Sequence, residues 1–219
     1  MLFNQMKNEN SRFDMEPKFI DLSPEGGFVS PVYDKNFFKT PLQVNNCVES
    51  LHSIDFRHEN YGALVVASSL LSSQFLLQSI REKGGAYGAG CKANESGVFS
   101  FYSYRDPKVE QTFENFEQGL AAICEGDFTQ KQLDEAKLLA FQQIDKPQEP
   151  SLKGLISFTR SYTDKERLKM RLSALNAEKQ LVMDIAEKHL MSQLESGKTN
   201  RVVFGNQNEN LEKLAEKKW

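Results

Sequence analysis

Ile80-Arg81-Glu82-Lys83-Gly84-Gly85-Ala86-Tyr87-Gly88-Ala89-Gly90-Cys91 links a long apolar run with helical spacing to an alternating, strand-like run. Gly84, Gly85, Gly88 and Gly90 crowd into this junction, out of 13 glycines in the whole chain. Glycine has no Cβ, so it tolerates positive φ and lets another group approach the backbone closely. The same residue weakens the interior of a helix or a strand, so four of them together serve something other than intrinsic stability. Arg81 and Tyr87 are the two side chains of the junction with chemistry to offer. The first is a permanent cation with a fork of donors, the second a phenol able to donate to a developing oxyanion. A plainer reading stays open beside this one, in which the loop is an ordinary helix-to-strand turn and Arg81 satisfies the last helix carbonyls. Nucleotide binding fits poorly: the Gly-Lys-Ser/Thr ending is absent, and the loop follows a helix where a phosphate loop precedes one.

Working outward, Asn60 is placed to cap a helix running to about Lys83, with Leu64, Ala67, Leu71, Phe75 and Gln78 along one face. Residues 42–56 carry strand character on Val44, Val48, Leu51 and Ile54. Residues 1–40 read as an irregular lead-in punctuated by prolines, linker and early domain structure with a short strand near Leu2-Phe3, and 41–219 as a single domain. After the glycine loop, 87–93 and 98–104 form a hairpin about Asn94-Glu95-Ser96-Gly97. Phe99, Phe101, Tyr102 and Tyr104 alternate with serines there; they either fill the core on one face or line a peptide-binding wall. Asp106-Pro107 signals a helix start, and Phe113, Phe116, Leu120 and Ile123 follow at helical spacing until Gly126.

Thr129 with Gln132 has the capping-box pattern and opens a helix through Leu133, Leu138, Phe141 and Ile144. The proline-bearing stretch 145–150 stops it, a short helix begins at Ser151, and Thr163 with Glu166 repeats the box. A helix over 176–193, a strand over 201–205 and a charged helix over 209–218 complete the order. Strand, helix, hairpin, several helices and a final strand describe an α+β layer: helices packed on a mostly antiparallel sheet. No internal repeat interrupts it.

The chain has 219 residues, enough for one substantial core. Its 39% hydrophobic and 26% charged residues are ordinary for a globular domain, and a net charge of −3 argues against nucleic acid as a partner. Cys47, Cys91 and Cys124 are odd in number and irregular in spacing, which reads as buried thiols and not a disulfide framework. Cys91, beside the glycines, is either a reactive thiol or a small buried residue. No apolar leader follows Met1, and serines and glutamines within 63–80 make that segment too polar for a membrane span.

Arg-Glu-Lys-Gly-Gly-Ala-Tyr-Gly at 81–88 resembles the signature in the C-terminal half of pitrilysin-type (insulinase-family, peptidase family M16) zinc metallopeptidases. The similarity is greatest to the branch holding the presequence protease and falcilysin, and runs from about Pro41 onward. The resemblance implies that Arg81 and Tyr87 reach across a closed chamber and contact substrate beside a zinc held by the N-terminal half. It also implies catalytic roles for Tyr87 and Arg81, with Gly84 and Gly85 admitting an extended, unstructured peptide. The family's inverted His-x-x-Glu-His metal motif has no counterpart here, because His52, His58 and His189 lie outside that pattern. No metal ligand is therefore expected from this chain; Zn2+, the general base and the partner N-terminal half would come from elsewhere in the polypeptide or from a second chain. A mitochondrial or other organellar setting (plastid, food vacuole) follows from the resemblance alone. The alternative is a non-catalytic scaffold or peptide-binding module, since domains resembling this family also build core subunits of a respiratory complex.

Overall fold

Alternation with period two organises the centre of the molecule. In the computed structural model, which describes residues 35–41, 43–147, 149–150, 154–155, 158 and 163–205, β2 (Asn45–His52) turns Cys47, Glu49 and Leu51 to one face. The neighbouring strand β4 (Val98–Asp106) does the same with Phe99, Phe101 and Ser103. Strand β1 is Lys35–Lys39, β3 is Gly88–Ala93 and β5 is Thr199–Gly205; the sheet order is β1-β5-β2-β4-β3. Only the β1–β5 pair is parallel, so the sheet is mixed and mostly antiparallel, as the sequence leads one to expect. β1 lies within the stretch read as lead-in and went unanticipated; five residues with two lysines carry too little pattern to announce a strand. The expected strand near Leu2-Phe3 and the helices from Ser151 and over 209–218 fall outside the described residues.

Helix α1 (Tyr61–Lys83) fills the core between the sheet and the remaining helices. Its first part, Tyr61–Leu71, is α-helical; from Ser72 to Lys83 it winds more widely, in π-type turns. That change corrects the predicted face. With i→i−5 winding, Leu71, Leu76 and Ile80 line up and are buried, while Phe75 is only half-buried and Gln78 points to solvent. Asn60 precedes the helix but makes no side-chain cap bond. By length and composition Tyr61–Lys83 is long and apolar enough to cross a bilayer, contrary to the sequence reading, yet 56% of its most apolar window is buried within the domain. Here that apolarity serves the core, each fully buried Leu or Ile contributing about 1.5–3 kcal/mol.

The other helices are α2 (Val109–Cys124), α3 (Gln130–Ile144), α4 (Asp164–Leu175) and α5, which continues through Lys179–Ala186, Glu187–Met191 and Ser192–Glu195. Phe113, Phe116, Leu120 and Ile123 of α2 are buried as their spacing predicts, and Phe116 stacks on Phe101 at 5.1 Å between centroids. Both capping boxes form, at Thr129–Gln132 and Thr163–Glu166. Two starts differ from expectation. Asp106 ends β4 rather than capping from outside the sheet; its carboxylate accepts from the Lys108 amide at 2.8 Å and the Thr112 hydroxyl at 2.6 Å, and the helix begins at Val109. Asn176 closes α4 and α5 begins at Lys179, so the predicted helix over 176–193 starts three residues early. In α3 the buried face is Leu133, Ala136 and Ala140, and Leu138 is exposed.

Two features set the helix layer. A Cβ on Gly62 would collide with the Met170 carbonyl and come within 2.5 Å of the Ala174 nitrogen, so α1 and α4 cross in near backbone contact. Beneath the sheet, the fully buried carboxylate of Glu49 accepts from Arg201 Nε at 2.8 Å, and the same guanidinium reaches Glu117. Burial pushes the Glu49 carboxyl up from its ordinary value, and the bond from Arg201 opposes that push.

Gly62→Ala should force α1 and α4 apart and cost about 1–3 kcal/mol, read as a lower urea midpoint at unchanged m-value. Glu49 holds its proton to higher pH in the folded than in the unfolded chain, so its contribution to stability declines as pH rises from 4.5 through its raised folded value. In Glu49→Gln that decline should vanish, so the stability of wild type relative to the variant should fall across this window in urea titrations at stepped pH.

Candidate active-site loop

Strand β3 is the edge of the sheet, so alternate residues turn their N–H and C=O away from β4. At Cys91 both of those groups are taken by one side chain: the Cys91 amide donates to Ser72 Oγ at 2.9 Å, and Ser72 Oγ donates to the Cys91 carbonyl at 3.2 Å. Tyr61 Oη donates to the Ala93 carbonyl at 3.3 Å, so α1 is bonded to this edge at two places. The Cys91 thiol donates to the Ser68 carbonyl at 3.3 Å, and burial pushes it up to about 12. It is a packed thiol, not a nucleophile.

The loop between α1 and β3 is closed by its own backbone. The Gly85 amide donates to the Arg81 carbonyl at 3.0 Å and the Ala86 amide to the Ile80 carbonyl at 3.1 Å. Gly85 has φ of +87°, and a Cβ on Gly84 would strike the Ile80 carbonyl, so both glycines are demanded by the turn itself. The last helix carbonyls are thus satisfied without Arg81. Its side chain is exposed and, among the described residues, has no hydrogen bond or ion pair. Capping is not its task.

Gly88 and Gly90 have a different reason. They pair with Tyr104 and Tyr102 on β4, and a Cβ on Gly88 would run into the Tyr104 ring, one on Gly90 would lie 2.8 Å from the Tyr102 hydroxyl. The two rings lie down across the bare backbone of β3, a cross-strand pairing of aromatic and glycine. They sit on the sheet face opposite the helices, while Phe99 and Phe101 fill the core, as one reading of the aromatic strand expected. The outer face carries Phe38 and Phe204 stacked at 5.0 Å, then Tyr102 and Tyr104, all about two-fifths exposed. Tyr87 stands at the rim of this face, 62% exposed, with its ring 5.5 Å from that of Tyr104.

Arg105 completes the surroundings, and nothing in the sequence flagged it. The β2–β4 register slips between Asn45↔Asp106 and Asn46↔Tyr104, leaving Arg105 as the extra residue of a bulge with φ of +50°. Its guanidinium lies 5.5 Å from the centre of the Tyr87 ring. Among the described residues no three His, Cys, Asp or Glu side chains group together, and the His58 and His189 rings lie 5.6 Å apart.

The mixed sheet with helices packed on one face is shared with solved peptidase structures. A protease from Helicobacter pylori superposes with a TM-score of 0.66 at 17% identity, covering 92% of this chain and 52% of its own. The inactive domain of an M16 peptidase from Pseudomonas fluorescens gives 0.64 at 20%, covering 82% and 45%. A chain of Complex III2 from Candida albicans gives 0.55 at 16%, covering 83% and 42%. Residues 35–207 match the PreP C-terminal domain, and the chain belongs to that family. The mitochondrial presequence protease of Danio rerio is 34% identical over 94% of this chain, and that of Mus musculus 36% over 73%. The chain spans only 21% and 15% of the lengths of those two relatives.

Gly85→Val should destabilise the turn by about 1–2 kcal/mol through its left-handed backbone, measured as a shift in urea midpoint.

Proposed function

We propose that this domain completes the active site of a zinc metalloendopeptidase that degrades unstructured peptides, with Tyr87 and Arg81 as its catalytic residues. One observation carries the reading. In a loop whose glycines serve intramolecular contacts, the Arg81 side chain and the Tyr87 hydroxyl are exposed and, among the described residues, have no hydrogen-bond or ion-pair partner. Arg81, a fork of donors with no carboxylate partner among the described residues, holds substrate carbonyls near the scissile bond. Tyr87 donates its phenolic proton in a hydrogen bond to the oxygen that gains charge as the scissile carbonyl becomes tetrahedral. Gly84 and Gly85 keep the path past the loop free of side chains. The described residues do not fit a zinc site, so the metal, which would activate water, and its general base belong to an N-terminal half in the same polypeptide or another chain. The names of the relatives, mitochondrial presequence proteases, support targeting peptides as substrates and a mitochondrial location.

A second reading, a non-catalytic scaffold or peptide-binding module, draws on the fold shared with the Pseudomonas fluorescens inactive domain and with Complex III2. Unengaged Arg81 and Tyr87 favour the peptidase, because a scaffold needs neither.

The deciding assay mixes this chain with an N-terminal half bearing the zinc motif and follows a fluorogenic unstructured peptide. Turnover should appear only in the mixture. Tyr87→Phe should lower kcat about 100- to 1000-fold with little change in KM, and Arg81→Ala should lower kcat/KM. Association of the halves without turnover would favour the scaffold.

A further inference from the structure

Arg105 occupies a position that costs backbone energy. It is the only non-glycine residue with positive φ among those described, and arginine has no intrinsic liking for that conformation. Such strain persists where the surroundings impose it, and the surroundings here are specific. Residues 99, 101 and 103 of β4 face the helices. Continued alternation would send residue 105 the same way, into the space where Asp106 bonds Thr112. The bulge hands that inward position to Asp106 and turns residue 105 outward. Its amide is bonded by Asn46 Oδ1 at 3.4 Å, so the side chain of β2 holds the bulge in place.

The cation turned out in this way has no carboxylate partner among the described residues. What it meets is the ring of Tyr87, at 5.5 Å from guanidinium to centroid, while Tyr104 meets the same ring at 5.5 Å and 56°. Tyr87 is 62% exposed and its hydroxyl has no partner among the described residues, so these two neighbours are what limits where the ring points there. A cation beside an aromatic face within about 6 Å is attractive. Without it only the Tyr104 ring would limit where the phenol points.

We propose that Arg105 is the positioning residue for Tyr87: the strained bulge aims its guanidinium at the ring and holds the phenol where it meets the substrate carbonyl. This rests on the oxyanion-donor role of Tyr87. Arg105 acts through the ring and needs no contact with substrate. Loss of orientation lowers turnover while leaving ground-state peptide binding largely intact, since a small displacement of a catalytic group is costly in rate.

The test exploits the backbone, because glycine favours φ of +50° where arginine does not. Arg105→Gly removes the guanidinium and relaxes the strain together. In this chain its melting temperature should equal or exceed wild type. In the peptidase assembled with a zinc-bearing N-terminal half, kcat should fall roughly ten- to hundredfold with KM little changed. In a Tyr87→Phe background Arg105→Gly should cost nothing further, and Arg105→Lys, which keeps a cation beside the ring, should recover part of the rate. Full turnover in Arg105→Gly alongside a disabled Tyr87→Phe would overturn the positioning role and leave the oxyanion donor standing. Multiplicative losses in the double variant would overturn it too, placing Arg105 on the substrate directly. Full turnover in Tyr87→Phe would remove the donor role itself, and this inference with it. A lower melting temperature in Arg105→Gly, with activity lost in proportion, would make Arg105 a structural residue and nothing more.

Discussion

One serine hydroxyl ties the loop to the rest of the domain. Ser72 bonds both the amide and the carbonyl of Cys91, the pair of backbone groups that an edge strand would otherwise show to solvent or to another chain. Each of these bonds contributes about 1 kcal/mol net, but leaving the buried groups unpaired would cost more. Their geometric effect is larger than their energy. They clamp the edge of the sheet to α1 part-way along the helix, so the segment from Ser72 to Cys91 closes on itself. Arg81 and Tyr87 lie within that closed segment, and their relation to one another follows from it.

Inside the loop, glycine is required for two unrelated reasons. Gly84 and Gly85 end the helix, one under the Ile80 carbonyl and one with positive φ. Gly88 and Gly90 make room for the Tyr104 and Tyr102 rings. The strand that carries those rings then bulges one residue on, and the bulge releases Arg105 toward Tyr87. Rings, glycines and bulge form one unit at the corner of the sheet. It is a local structure that spends backbone freedom to fix the surroundings of an exposed phenol.

The opposite end of the sheet is held by charge. Arg201 of β5 joins Glu49 of β2 to Glu117 of α2 and lies over the Phe113 ring at 5.0 Å. A buried carboxylate is costly unless paired, and an arginine with two carboxylate partners and an aromatic surface satisfies it without full desolvation. The polar clamp at this end and the apolar stack of Phe99, Phe101 and Phe116 near the middle both lie on the helix side of the sheet, while Phe38, Tyr102, Tyr104 and Phe204 on its other face stay about two-fifths exposed.

Much of this was legible in the sequence because it is local. Helical spacing in 109–124, the Thr129 and Thr163 boxes, the 94–97 turn and the glycine-rich junction are written in residues near one another. The family resemblance and the absence of its metal motif were equally readable, being matters of short patterns. Tertiary structure decided what depends on partners far along the chain. The wider winding after Ser72 moved the buried face from Phe75 and Gln78 to Leu76 and Ile80, because packing across the sheet outweighed the α-helical period. β1 became a strand only by pairing with β5, some 160 residues on, and Gly88 and Gly90 owed their identity to rings on the next strand. Arg105 was invisible for the same reason. A bulge is a disagreement between two strands, and one strand's sequence cannot record it.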